Sequence, residues 1–196
     1  MTLLDLCAYL GLGAVGAATV NLLLGLLMSL RYSPVRQWPH RRINVFQLHQ
    51  WTAYAAVVLT FAHPVVLLFQ HVAVFHVVDV LWPIHSPLQP WVNSAGAAAL
   101  YLLALILATS LLRNRIGRRV WRNLHYLAFP AVVLVFVHSI LTDPDLKTGH
   151  PDYLDGGKIF LYAATLVSVV AVGLRVRLKG RGLRPDGQRA SAAASF

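Results

Sequence analysis

Five long apolar runs, separated by short connections that alternate between basic and acid-leaning, dominate this chain of 196 residues. The runs cover residues 6–30, 43–69, 92–112, 124–141 and 159–174. A helix needs about 20 apolar residues, at about 1.5 Å of rise each, to cross the hydrocarbon core of a bilayer. All five runs reach that scale, the last by extending to Lys158 and Val176. The expected fold is all-α, a multi-pass transmembrane helical bundle of five spans. Composition agrees: 57% of residues are hydrophobic and 12% charged, where a soluble domain carries roughly 25% charge.

The net charge of +10 could suggest nucleic acid. Its distribution excludes that reading. Arg31, Arg36, Arg41 and Arg42 follow the first run, and Arg113, Arg115, Arg118, Arg119 and Arg122 follow the third. Arg175, Arg177, Lys179, Arg181, Arg184 and Arg189 follow the fifth. Only Lys147 and Lys158 fall on the alternate side, among Asp143, Asp145, Asp152 and Asp155. Clusters of this kind set orientation, with the basic side cytoplasmic. The expected topology therefore has the N-terminus outside and the C-terminus inside, in a cell membrane, most simply a bacterial inner membrane. The first run is too long for a signal-peptide core and lacks a basic leader, so it reads as a retained span. Two regions are expected: a membrane domain over 1–178 and a basic tail over 179–196, disordered and able to lie on anionic lipid.

One cysteine, Cys7, lies in the first run. It can form no intrachain disulfide, and no C-x-x-C-H haem attachment site exists. It reads as a small buried apolar residue. Gly13, Gly16 and Gly25 in the same run read as points of close helix approach.

Four of the nine histidines, His49, His63, His125 and His138, lie in or at the ends of spans two and four. Ionisable residues inside spans are costly and usually face a partner within the bundle. His49 and His63 are 14 apart, which puts them about 40° apart around a helix and about 21 Å apart along it. His125 and His138 are 13 apart, about 20 Å along the axis but about 140° apart around it on an ideal helix. Pro130 lies between them, and a proline kink is a possible remedy for that mismatch. Both spans start from the basic side. His49 therefore matches His125 in depth, and His63 matches His138. One imidazole from each of two helices at two depths is the geometry of bis-imidazole haem ligation, which favours electron transfer over oxygen binding at the metal.

The stretch Arg118-Arg119-Val120-Trp121-Arg122-Asn123-Leu124-His125, followed by Phe136-Val137-His138-Ser139, resembles the ferric reductase-like transmembrane domain. Leu48-His49 through Ala62-His63 resembles its other haem helix. That family includes ferric reductases, NADPH oxidases and the haem subunit of bacterial methionine sulfoxide reductase. The resemblance covers about residues 8–175. It implies two b haems held by His49, His63, His125 and His138. The large members of the family carry a cytoplasmic flavin and nicotinamide domain. Here the chain runs on for about twenty residues after its last span, so the expected donor is a separate flavoprotein or the quinol pool.

The resulting expectation is a diheme b-type cytochrome subunit that moves electrons from the cytoplasmic side to an outer acceptor: ferric iron, oxygen or a periplasmic redox partner. Arg119 and Arg122 are candidates to hold haem propionates by charge-assisted hydrogen bonds. Trp51, Tyr54, Phe61, Tyr126 and Phe129 read as pocket walls or packing. His71, His76, His85 and Asp79 could hold a ferric or cupric ion at the outer face, although an interfacial segment explains them as well. The bland alternative for the four span histidines is a set of interhelical hydrogen bonds. Metal permeation is a further alternative, made poor by the lack of membrane carboxylates beside them. A non-catalytic haem-binding or structural subunit of a larger complex is the alternative function. Lipid is a partner in every case.

Overall fold

Thr2 starts the first helix. Its hydroxyl accepts from the Asp5 amide at 3.1 Å, and the Asp5 carboxylate accepts from the Thr2 amide at 2.6 Å. This reciprocal cap satisfies two of the amides that a helix start leaves without partners. In the computed structural model residues 2–30, 44–69, 75–142 and 154–182 are described, and they are all-helical with no strand among them. Helix α1 spans Leu3–Ser29. Asn44 caps α2, Val45–Leu67, by accepting from the Gln47 amide at 3.2 Å. A short α3, Val77–Leu81, and a 3-10 turn, Pro83–His85, lead to α4, Pro90–Leu111. Pro90 is the first residue of α4, where a missing amide costs nothing.

Two short helices, α5 (Arg113–Ile116) and α6 (Arg118–His125), carry the basic connection into α7, Ala128–Leu141. Gly117 separates α5 from α6 at φ +81°, a conformation that disfavours any side chain. The last helix, α8, spans Gly156–Gly182. It runs past the expected start of the tail at 179, and residues 183–196 lie outside the described residues.

Five helical stretches are long and apolar enough to cross a membrane: α1, α2, α4, α6 with α7, and α8. This is a multi-pass membrane protein. Helices α1 and α2 form one antiparallel hairpin, while α4 packs along α7 as a second. Helix α1 also touches α7 and α8, and Val15, Phe136, Leu161 and Ala164 form the buried cluster where those three meet. Many large apolar side chains outside that cluster are exposed, as lipid-facing positions should be. The basic end of the bundle gathers the C-terminus of α1, the N-termini of α2 and α6, and the C-terminus of α4. Arg113 lies over the Phe46 ring there, and the Arg175 guanidinium donates to the Ser29 hydroxyl at 2.8 Å.

Pro130 leaves its mark on the fourth span. It has no amide to give the Tyr126 carbonyl, which instead receives the Phe129 amide at 3.2 Å, three residues on. The Leu127 amide likewise reaches back three residues to Leu124, at 3.0 Å. Such steps advance about 120° per residue instead of about 100°. The ideal 13-residue spacing falls about 140° short of four whole turns. Overwinding at 124–129 therefore turns His138 toward the face that carries His125.

Candidate functional site: two facing imidazole pairs

Helices α2 and α7 share no extended packing. The neighbours of α2 are α1 and α4, and those of α7 are α4, α1 and α8. Across the space between them the histidines meet in two pairs. At the basic end, the His49 and His125 rings stand 6.3 Å apart between centroids, at 69° between planes. At the far end, His63 and His138 stand 6.1 Å apart at 77°. All four rings are half-buried. The pairing in depth is the one that the spacing predicts, and the ideal-helix mismatch of the far pair does not keep those rings apart.

The second nitrogen of three of the rings explains how they are turned toward their partners. His49 Nδ1 is 3.1 Å from the Asn21 carbonyl, His63 Nδ1 is 2.8 Å from that of Cys7, and His138 Nδ1 is 2.8 Å from that of Val92. A carbonyl can only accept, so Nδ1 carries the hydrogen in all three. In a neutral imidazole this leaves Nε2 with its lone pair free, the tautomer of a metal ligand held by an outer partner. His125 differs: its Nδ1 is buried and has no hydrogen-bond partner among the described residues. Its ring stacks instead on Trp121, with centroids 5.1 Å apart.

Glycines make the approach to those carbonyls possible. A Cβ on Gly11 would lie 3.1 Å from the His63 ring, on Gly25 3.3 Å from His49, and on Gly96 2.8 Å from His138. Each glycine stands four residues after the accepting carbonyl, at the helical step where a side chain would cover that oxygen. Of the glycines expected to allow close approach, Gly25 does so at an imidazole. Gly13 and Gly16 meet Leu59 and Phe160. Gly11 and Gly96 are positions against the imidazoles that sequence reasoning missed, and only the register between helices marks them out.

Asn21 was also missed, although an amide in the middle of an uncharged run was a readable signal. Its side chain donates to the His49 carbonyl at 2.6 Å and to the Thr52 hydroxyl at 2.9 Å, while its backbone holds the His49 ring. Cys7 is buried and is more than apolar filler. Its thiol lies 3.4 Å from both the carbonyl and Nδ1 of His63. At the far end the buried Lys158 ammonium donates to the carbonyls of Ser139, Ile140 and Thr142, at 3.2, 2.6 and 2.6 Å. These are carbonyls that the end of α7 leaves without amide partners.

Other candidates are not drawn in. Arg119 and Arg122 are exposed on α6, and neither side chain has a hydrogen bond or ion pair among the described residues. Trp51, Tyr54, Phe61 and Tyr126 are exposed, and Phe129 lies under the Arg175 guanidinium. His76 caps α3 and lies 3.4 Å from Asp79, His85 is exposed, and His71 falls outside the described residues. Among the described residues no three side chains of His, Cys, Asp or Glu converge to hold a metal ion. The two pairs can each supply two nitrogen ligands to a metal, and no more.

A family described as the ferric reductase like transmembrane component matches residues 14–136. No curated protein and no solved structure matches the chain.

Proposed function

The chain belongs to the ferric reductase-like transmembrane family, and from that premise we propose that it is a diheme b-type cytochrome subunit carrying electrons across the membrane. The observation that carries this reading is the pair of imidazole pairs, with three of the four rings tied from behind and each facing its partner between α2 and the fourth span. Two imidazoles sharing one metal, at about 2 Å per metal–nitrogen bond, have ring centres about 6 Å apart. The observed 6.3 and 6.1 Å fit that arrangement. Two protein ligands leave most of a metal's coordination to something else, and a planar tetrapyrrole in the space between α2 and the fourth span supplies it.

His49 with His125 would hold one haem, and His63 with His138 the other. Haem takes up and gives back one electron at a time. With an imidazole from each helix holding it, such a group would favour electron transfer over oxygen binding at the metal. Backbone carbonyls hold three of the rings in the ligating tautomer. Arg119 and Arg122 lie on the helix that carries His125 and can turn toward propionates at the basic end. Lys158 brings positive charge to the far end.

The two levels lie about 21 Å apart along α2, so the chain offers two stations through one bilayer. The arginine-rich end faces the cytoplasm on the positive-inside rule. A flavoprotein or a quinol at that end would be the donor, and ferric iron, oxygen or a redox protein at the far side the acceptor.

The test is the absorbance spectrum of the purified protein after reduction. We expect b-type bands and two haems per chain, with one lost in His63→Ala and likewise in His138→Ala. A protein without haem, or one whose haem content is unchanged in both variants, overturns the reading.

A further inference from the structure

The four imidazoles are not held alike, and the difference has a repeating geometry behind it. Three are backed by the same device: a helix carbonyl accepts from Nδ1, and the residue four positions later is a glycine that leaves room for the ring. Cys7 and Gly11 serve His63, Asn21 and Gly25 serve His49, and Val92 and Gly96 serve His138. On α1 the two glycines stand 14 residues apart, matching the 14 between His63 and His49 on the antiparallel α2. On α4 the same step from Gly96 arrives at Ser110, and the same step from Val92 arrives at Ile106.

The fourth device is not formed there. Ser110 is at the right place: Trp121 donates to its hydroxyl at 3.3 Å, and Trp121 is the ring stacked on His125. The Ile106 carbonyl receives the Thr109 hydroxyl at 3.1 Å instead of an imidazole. Among the described residues the His125 Nδ1 is left buried and without a partner.

The geometry points to Ser110 as the positioning residue that sets the two sites apart: it fills the place of a fourth glycine, so His125 ligates without the carbonyl that backs the other three imidazoles, and the basic-end haem has the higher reduction potential. This rests on the diheme reading. A hydrogen bond from Nδ1–H to a carbonyl pushes electron density onto Nε2 and raises the basicity of the ligand. A more basic axial ligand stabilises the ferric form and lowers the potential. The far-end pair has two such bonds, while the basic-end pair has one. The distinction is built into α4 by one hydroxymethyl group.

Spectroelectrochemical titration of the purified protein tests this. The potential lost in His49→Ala is assigned to the basic end and the one lost in His63→Ala to the far end. We expect the basic-end value to be the more positive. Ser110→Gly opens the fourth place and moves that value in the negative direction, leaving the far-end value unchanged. Ser110→Ala also removes the partner of Trp121 but keeps the Cβ, so it leaves both values where they were. Gly25→Ala crowds His49 away from its own carbonyl and moves the basic-end value in the positive direction, a result that stands even if Ser110→Gly fails to fold. Haem retained with the basic-end value equal or more negative overturns the inference alone. So do equal shifts in the glycine and alanine variants at Ser110, or a Gly25→Ala variant with no positive shift. A protein without haem overturns the diheme reading with it.

Discussion

His63 and His138 lie on helices that share no extended packing, yet their rings come to 6.1 Å between centroids with their planes at 77°. Each is locked by a bond of 2.8 Å from Nδ1 to a backbone carbonyl, Cys7 for one and Val92 for the other. Neither ring can swing toward a parallel arrangement without giving up that bond.

The crossed planes predict a spectroscopic outcome. Two axial imidazoles in parallel planes lift the near-degeneracy of the iron dxz and dyz orbitals together, whereas crossed planes cancel one another. The oxidised protein should therefore show a highly anisotropic low-spin ferric signal in electron paramagnetic resonance. A rhombic signal typical of parallel imidazoles at both sites contradicts the ring geometry.

Glycine substitutions should grade with the room they remove. An added methyl would approach the facing imidazole to 2.8 Å at Gly96, 3.1 Å at Gly11 and 3.3 Å at Gly25. Overpacking typically costs about 1–3 kcal/mol. Gly96→Ala is expected at the top of that range with loss of the proposed far-end haem, Gly11→Ala next, and Gly25→Ala mildest. Thermal unfolding in detergent and the haem-to-protein ratio give the order. A mildest effect at Gly96 is incompatible with the packing.

Pro130→Ala restores an amide that can bond to the Tyr126 carbonyl and relaxes the tightened turn at 124–129. His138 then rotates off the His63 face. The far-end haem should bind about 10-fold more weakly, the lower edge of what disturbing a ligand's support costs, while the basic-end haem is kept. Unchanged occupancy at the far end would show that the proline is not what brings the pair together.

Lys158→Met removes the donor shared by the carbonyls of Ser139, Ile140 and Thr142. Leaving a buried acceptor unsatisfied costs about 1–3 kcal/mol. The melting temperature should fall, and Lys158→Arg should recover part of it. Equal stability of the methionine variant and the parent refutes the capping role.

Much was legible because membrane burial is written in one dimension. The span count follows from run lengths, since every backbone amide inside a bilayer must be satisfied within its own helix. Sidedness of charge and the two depths of the histidines follow from position along the chain alone. The 13-residue spacing of His125 and His138 read as a poor fit because it assumes an ideal helix, and the bonds that Pro130 redirects change the winding. The arginines illustrate the opposite limit. Arg119 and Arg122 stood out by proximity to His125, but exposure and contact are three-dimensional, and the described contacts go to Arg113 and Arg175.

The sequence by itself determined the five spans, the basic end and the matched depths of His49 with His125 and His63 with His138. Those depend on local helical geometry and on transfer of side chains from water to lipid. Only the tertiary structure decided how each imidazole is held. Gly11 meets His63 and Gly25 meets His49 through the antiparallel register of α1 against α2. Gly96 meets His138 through the register of α4 against α7. A register between helices distant in sequence arises from side-chain packing, which is why Gly11, Gly96 and the three carbonyls came into view only with the fold, alongside the His125 Nδ1 that has no partner among the described residues.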